Sequence, residues 1–192
     1  MLFLQRTTDL VFGLSTEQKE QDMNMISDAK SGSLKAKKEK GNRFTDTNTI
    51  PWTSFFLNGV DYKLLDFAGE RCTLLVKVEK GTKLAIHQHL KPVELYLMSG
   101  SFGYEDAESG TADMIYAGGY LYEPPGTVHE PTSPDGFVGV AVIHGHVVGF
   151  DAQGKEVRIG PEDYYRRAKE NNAVAHLGIE DDTELLARAS AL

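Results

Sequence analysis

The stretch GTKLAIHQHLKPVELYLMSG, Gly81 to Gly100, and its answering segment GGYLYEPPGTVH, Gly118 to His129, carry the reading of this chain. His87 and His89 stand two apart in a run whose flanks alternate like a strand, so both imidazoles leave the same face of a sheet. Two neutral nitrogens aimed at one point make half a metal site. Glu94 opens VELYLM after a Pro-containing turn, which puts it on a neighbouring strand with its carboxylate able to point back at the pair. His129 arrives from far along the chain, just after Pro124-Pro125-Gly126. There a fixed φ followed by a permissive glycine makes a tight corner, and the corner sets where His129 points.

With their glycines and prolines, the two segments resemble the two motifs of the cupins. Gly81, His87, His89, Glu94 and Gly100 follow the first motif; Gly118, Pro124, Gly126 and His129 follow the second. The interval from Glu94 to Gly100 is one residue shorter than the plant-type pattern, and Ser133 stands where the second motif often ends in Asn. Within the cupins, HQHLKPVELYLMSGSFGY, YEPPGTVHEP and GFDAQGK resemble the small dioxygenases that cleave 2,4'-dihydroxyacetophenone and acetylacetone. That resemblance implies an all-β fold, a single cupin barrel (double-stranded β-helix, jelly roll) with peripheral N- and C-terminal helices. It also implies a divalent metal ion, Fe(II) foremost with Zn, Ni or Mn as alternatives, held by His87, His89, Glu94 and His129. Glu94 is either a fourth ligand, the preferred reading, or a carboxylate beside an ion held by three histidines.

Glu123 lies six residues before His129, and the resemblance puts a glutamate at that place in the polar shell of the pocket. The bland alternative is a strand-end carboxylate in solvent. Tyr96 and Met98 alternate with Glu94, so an inward Glu94 makes both line the cavity. Glu123 and Tyr96 are therefore the candidate catalytic residues. His144 and His146 form a second HxH in VIHGHVV, but without a third ligand or the flanking motif. A pocket-wall or interface role is expected for one of them, with Gly145 marking a bulge or a close backbone approach. A lone histidine is more often a satisfied polar group than a ligand, so His176 receives no role.

Composition bounds the rest. A chain of 192 residues, 41% hydrophobic and 25% charged, suits one globular domain with a substantial core. No apolar run is long enough to span a bilayer, and MLFLQRTTDLVFGL contains Arg6 and Asp9 and lacks the order of a secretory signal, so a cytoplasmic protein is expected. The net charge of -8 argues against nucleic acid. Cys72, the single cysteine, alternates into a strand and reads as a buried thiol.

The chain divides into an extension over 1–50, a barrel over 51–160 and a helical segment over 161–192. Ser15 with Gln18 opens a helix over TEQKEQDMNMISDAK, and LKAKKEKGNR reads as a solvated basic connection. From Tyr62 the chain becomes short β-rich runs, YKLLDF, RCTLLVKVE, KLAIHQH, VELYLM, SFGYED, ADMIYA, YLYEP and FVGVAVIHGHVVGFD, separated by turns that include Asp106 to Gly110. Pro161 with Glu162 and Asp163 starts a helix, and Asp181 with Glu184 opens a last one.

The resemblance implies an iron-dependent dioxygenase that cleaves a carbon–carbon bond next to a carbonyl, in a β-diketone or a hydroxyacetophenone-like compound. Its partners are then a small-molecule substrate and dioxygen, with a homodimer or larger homo-oligomer as the assembly. Two other readings stand beside it. One is a cupin isomerase or lyase using the ion as a Lewis acid. The other is a binding or sensing cupin without turnover. Against the sensor, residues 1–50 hold neither His nor Cys.

Overall fold

β-Branched and aromatic runs with period-two burial become antiparallel strands. The computed structural model describes residues 43–106, 111–151 and 153–191. Outside them lie the helix expected over TEQKEQDMNMISDAK, the basic run apart from Arg43, and most of the turn expected from Asp106 to Gly110. In chain order the strands are β1 (Thr53–Ser54), β2 (Val60–Phe67), β3 (Arg71–Val78), β4 (Thr82–Lys83), β5 (His87–His89), β6 (Val93–Asp106) and β7 (Thr111–Tyr116). Then come β8 (Tyr120–Glu123), β9 (Val128–His129), β10 (Pro131–Ser133), β11 (Phe137–His144), β12 (Val147–Phe150) and β13 (Glu156–Ile159). Two helices follow, α1 (Pro161–Glu170) and α2 (Thr183–Ala189).

The larger sheet runs β1-β2-β3-β11-β6-β10-β4, with β7 and β8 also paired to β6. The smaller runs β13-β12-β5-β9. The architecture is the all-β jelly-roll barrel expected. Its core includes Leu64, Leu74, Leu95, Leu97, Phe137 and Ile143, all buried. Cys72 is buried among them, and burial raises its thiol pKa, as expected of a structural cysteine.

KLAIHQH, read as one run, is split between β4 in the larger sheet and β5 in the smaller, and two further places divide differently from the sequence reading, each at a glycine with positive φ. VELYLM and SFGYED are one strand, β6, that passes Gly100 at φ 80. A Cβ there would lie 1.8 Å from the carbonyl oxygen of Gly136, so only glycine lets the two backbones approach. Before the bend β6 pairs with β11 and β8; after it, with β7 and β10. FVGVAVIHGHVVGFD, by contrast, breaks at Gly145, φ 61, and sends β11 into the larger sheet and β12 into the smaller.

The C-terminal helices pack on this barrel within the compact unit Arg43–Leu192. Pro161 occupies the first turn of α1, and Asp163 Oδ2 accepts the Gly160 N–H at 2.8 Å. Tyr164 stacks on Phe55 at 5.2 Å, meets Tyr62 edge-on at 5.3 Å, and accepts the Tyr62 hydroxyl through its backbone oxygen at 2.8 Å. Each such aromatic pair contributes about 0.5–1.5 kcal/mol beyond its buried area. The last helix starts one residue later than expected, with Asp182 as its cap, while Asp181 Oδ1 accepts the Thr183 N–H at 2.9 Å. Among the described residues no helix is long and apolar enough to cross a membrane.

Candidate metal centre

His87 and His89 lie on β5, and β9 pairs antiparallel with it so that His129 sits directly opposite His87. The corner before β9 is fixed by the backbone. Gly126 has φ 86, its N–H donates to the His89 carbonyl at 2.7 Å, and the His89 N–H donates to Thr127 O at 3.3 Å. The Gln88 side chain donates to Gly126 O at 3.2 Å, holding the same corner from the other face of β5. These contacts bring His129 onto the pair, 42 residues on from His87.

The three imidazoles meet through their Nε2 atoms. His87 Nε2 is 3.1 Å from His89 Nε2 and 3.1 Å from His129 Nε2. His87 Nδ1 lies 2.7 Å from the Ala85 carbonyl, which can only accept, so in the neutral ring the proton sits on Nδ1 and Nε2 offers one lone pair. One lone pair cannot serve two neighbours as hydrogen bonds. Nδ1 of His89 and of His129 is also buried with no hydrogen-bond partner among the described residues. A cation among the three Nε2 atoms satisfies them together: two imidazoles bound at about 2.0–2.1 Å lie about 3 Å apart when their bonds are at right angles. The donor set therefore fits a metal ion, and imidazole alone does not choose among iron, zinc, copper and nickel.

Electrostatics keeps the rings in the form that binds. Burial pushes His89 down to about 3, reinforced by His87 and His129 nearby, and burial with the proximity of His87 pushes His129 down to about 4. Burial also lowers His87, against the raising effect of its bond to Ala85 O. All three are neutral at pH 7.

Glu123 ends β8 and is 6% exposed. Its Oε2 is 3.2 Å from His89 Nε2 and its Oε1 is 3.6 Å from His129 Nε2. Burial raises its pKa, while the hydrogen bond that the Tyr104 hydroxyl donates to Oε1 lowers it. Tyr104 also stacks on His129, at 4.8 Å between ring centres and 18° between planes. Sequence reasoning missed Tyr104, although SFGYED alternates and puts Phe102 and Tyr104 on one face.

Glu94 is elsewhere. The inward set at the start of β6 is Val93, Leu95 and Leu97, all buried, so Glu94, Tyr96 and Met98 face outward. Glu94 Oε2 accepts the exposed Tyr120 hydroxyl at 2.8 Å on the outer surface, and Tyr96 is 49% exposed beside it. The expectation that Glu94 ligates the ion and that Tyr96 and Met98 line the cavity is corrected on this point. VELYLM carries two alternations, and the more apolar one is buried.

The second HxH is likewise no metal site. His146 Nε2 lies 3.0 Å from Glu162 Oε1 and ties the start of α1 to the barrel, and a Cβ on Gly160 would come within 2.6 Å of its ring. Neither His146 nor His144 lines the cavity between the sheets, so of the pocket-wall or interface role expected for one of them the pocket-wall alternative is corrected. His176 Nε2 sits 2.8 Å from Leu64 O, a satisfied structural contact.

His87, His89 and Glu123 form part of the wall of a cavity of about 380 Å³ between the two sheets. The rest of the wall is almost wholly aliphatic and aromatic, including Leu74, Leu95, Phe102, Phe137 and Ala141.

The chain matches the ChrR Cupin-like domain family over residues 40–148. A candidate acetylacetone dioxygenase from Methylibium petroleiphilum superposes with a TM-score of 0.58 at 23% identity, over 69% of this chain and 96% of that one. The acetylacetone dioxygenase from Acinetobacter johnsonii gives 0.57 at 21% identity, over 72% and 97%. An RmlC-like cupin from Ralstonia eutropha gives 0.57 at 23%, over 68% and 87%. At these identities the likeness is one of fold. No curated protein matches the chain.

Proposed function

This chain belongs to the ChrR Cupin-like domain family, and from that premise we propose that it is a mononuclear non-haem iron(II) dioxygenase cleaving a carbon–carbon bond in a carbonyl compound of the β-diketone or hydroxyacetophenone type. The observation that carries the reading is the convergence of three neutral imidazoles, with His87 Nε2 standing 3.1 Å from Nε2 of His89 and of His129, and with His87 and His89 on the wall of an apolar cavity. His87, His89 and His129 would hold the ion, which when bound supplies Lewis acidity and reactivity toward dioxygen that no side chain possesses.

Each residue then has a definite task. Three neutral ligands supply no negative charge, so that the nearby Glu123 carboxylate offsets only part of a divalent charge and a substrate that enters as an anion, such as the enolate of a dione, is favoured. The carboxylate of Glu123 is the proton acceptor for forming that anion. Its Oε1 accepts the Tyr104 hydroxyl, its Oε2 lies 3.2 Å from His89 Nε2, the residue lines the cavity, and burial raises its basicity. Tyr104 holds the carboxylate by hydrogen bond and His129 by stacking, so one ring positions both. The apolar wall keeps water from competing for the anion.

The test is oxygen uptake by protein reconstituted anaerobically with Fe(II) and then given β-diketones and hydroxyacetophenones. Uptake that depends on substrate and iron is the expected result. No uptake with either class refutes the proposal, and oxygen-free turnover by the zinc-loaded protein would assign it to Lewis-acid chemistry instead.

A further inference from the structure

The cavity is larger and more apolar than a diketone head group requires. A benzene-sized ring fits an apolar cavity of about 150 Å³, and acetylacetone has about the same number of heavy atoms. Against the 380 Å³ present, such a head group leaves more than half the volume unfilled. The unfilled part is walled by Leu74, Val76, Leu95, Phe102, Phe137 and Ala141.

Charge narrows the occupant further. Among the described lining residues there is no Lys or Arg, and the two acids are Glu123, beside the histidines, and Asp151. Asp151 is exposed, and its Oδ1 is engaged by the backbone N–H groups of Gln153 and Lys155 at 3.0 and 2.9 Å. The Tyr62 hydroxyl is spent on the Tyr164 backbone oxygen. Away from the histidines a carboxylate or phosphate would meet no cationic side chain, with the Tyr164 hydroxyl as a neutral polar group in the lining, and burying such a charge unpaired is strongly unfavourable.

The entrance has the same character. Phe56, Ile86, Phe150 and Val157 all line the cavity and are 49%, 56%, 65% and 39% exposed. Exposed large apolar groups gathered around one opening are uncommon on a soluble surface and mark a place where apolar matter passes or binds.

We propose that the substrate is a dione that carries, next to its dicarbonyl head, an uncharged apolar group of about the size of one aromatic ring or a medium alkyl chain, which fills the inner cavity between the two sheets. This rests on the head-group reading given above and extends it to the rest of the molecule.

The experiment is calorimetric titration of zinc-loaded protein, which binds without oxygen chemistry, with acetylacetone, hexanoylacetone, decanoylacetone and benzoylacetone. Alongside it, metal-free protein is titrated with alkyl methyl ketones that cannot chelate. In the zinc-loaded protein each added methylene tightens binding by about fourfold until the cavity is full, and benzoylacetone binds tighter than acetylacetone. Ala141→Phe, which fills the cavity, reduces the gain per methylene. Phe150→Asp, a change at a 65% exposed position that leaves the core intact, weakens the long diones more than acetylacetone. Affinity that is flat or falls with length, while acetylacetone itself binds, overturns the proposal and leaves the head-group reading standing. If no dione binds the zinc-loaded protein but the ketones bind the metal-free protein with the same dependence on length, the head-group reading fails and the apolar pocket stands.

Discussion

Glu123→Gln and Glu94→Gln, made side by side, test which carboxylate serves the centre. Glutamine has the shape of glutamate, and at position 123 its carbonyl can keep accepting the Tyr104 hydroxyl. What is lost is the negative charge 3.2 Å from His89 Nε2 and 3.6 Å from His129 Nε2. Groups that orient or balance metal ligands in this way typically contribute about 10- to 100-fold in metal affinity, or about 1.4–2.8 kcal/mol. Glu94 faces solvent and bonds the exposed Tyr120 hydroxyl, so its replacement should stay within about 0.5 kcal/mol and change metal affinity by no more than about twofold. The assay is competition for the ion against a chelator of known affinity, with circular dichroism to show that both variants are folded. Loss of metal from Glu94→Gln with full retention by Glu123→Gln would refute the reasoning, because it requires the first half of β6 to be turned over by one residue.

His129→Ala should abolish metal loading yet leave a folded barrel, since its neighbours in the core are set by other strands; failure to fold would make the metal structural. In the metal-free protein, NMR titration should place His89 and His129 near 3 and 4, and midpoints near the ordinary 6.5 would contradict the burial argument. Between 6.5 and those values the unfolded chain binds more protons on these rings, so their contribution to stability is complete above about pH 6.5 and is lost as pH falls toward 4 and 3. The raised Glu123 carboxyl acts in the opposite sense. Gly100→Ala combines φ 80 with a Cβ 1.8 Å from Gly136 O and should cost at least about 3 kcal/mol in urea denaturation. Gly118→Ala, at φ 86 with no atom within 4 Å, should cost only about 1–2 kcal/mol, and equal costs would refute the clash.

The three histidines were legible because their geometry is local on each side. HxH fixes two rings by strand periodicity, and Pro124-Pro125-Gly126 fixes the turn that delivers the third. The barrel was legible for a similar reason: short runs with turn residues between them allow few other closures. The carboxylate was not. A strand that alternates has two faces, and in VELYLM the motif spacing spoke for Glu94 inward while the apolar content spoke for Val93, Leu95 and Leu97. The core decided, since turning the strand over would expose those three residues and bury a carboxylate. The role of His146 was hidden because it finds its partner, Glu162, on a helix that the local pattern does not bring near.

Tyr104 shows how one inserted residue allots the roles along β6. The register against β11 pairs Gly139 with Leu97 and Val138 with Ser99, so Met98 is an extra residue, a bulge. Before it the odd-numbered residues face the core; beyond it Phe102 lines the cavity and Tyr104 reaches Glu123 and His129. Without the bulge the alternation that buries Leu95 and Leu97 would carry Tyr104 to the outer face, and Glu123 would lose the hydroxyl that holds it. The bend at Gly100 then turns the second half of the strand toward β10 and β7. The polar surroundings of the histidines are therefore set not by the ligand positions alone but also by a break in alternation at Met98, near the end of the same motif.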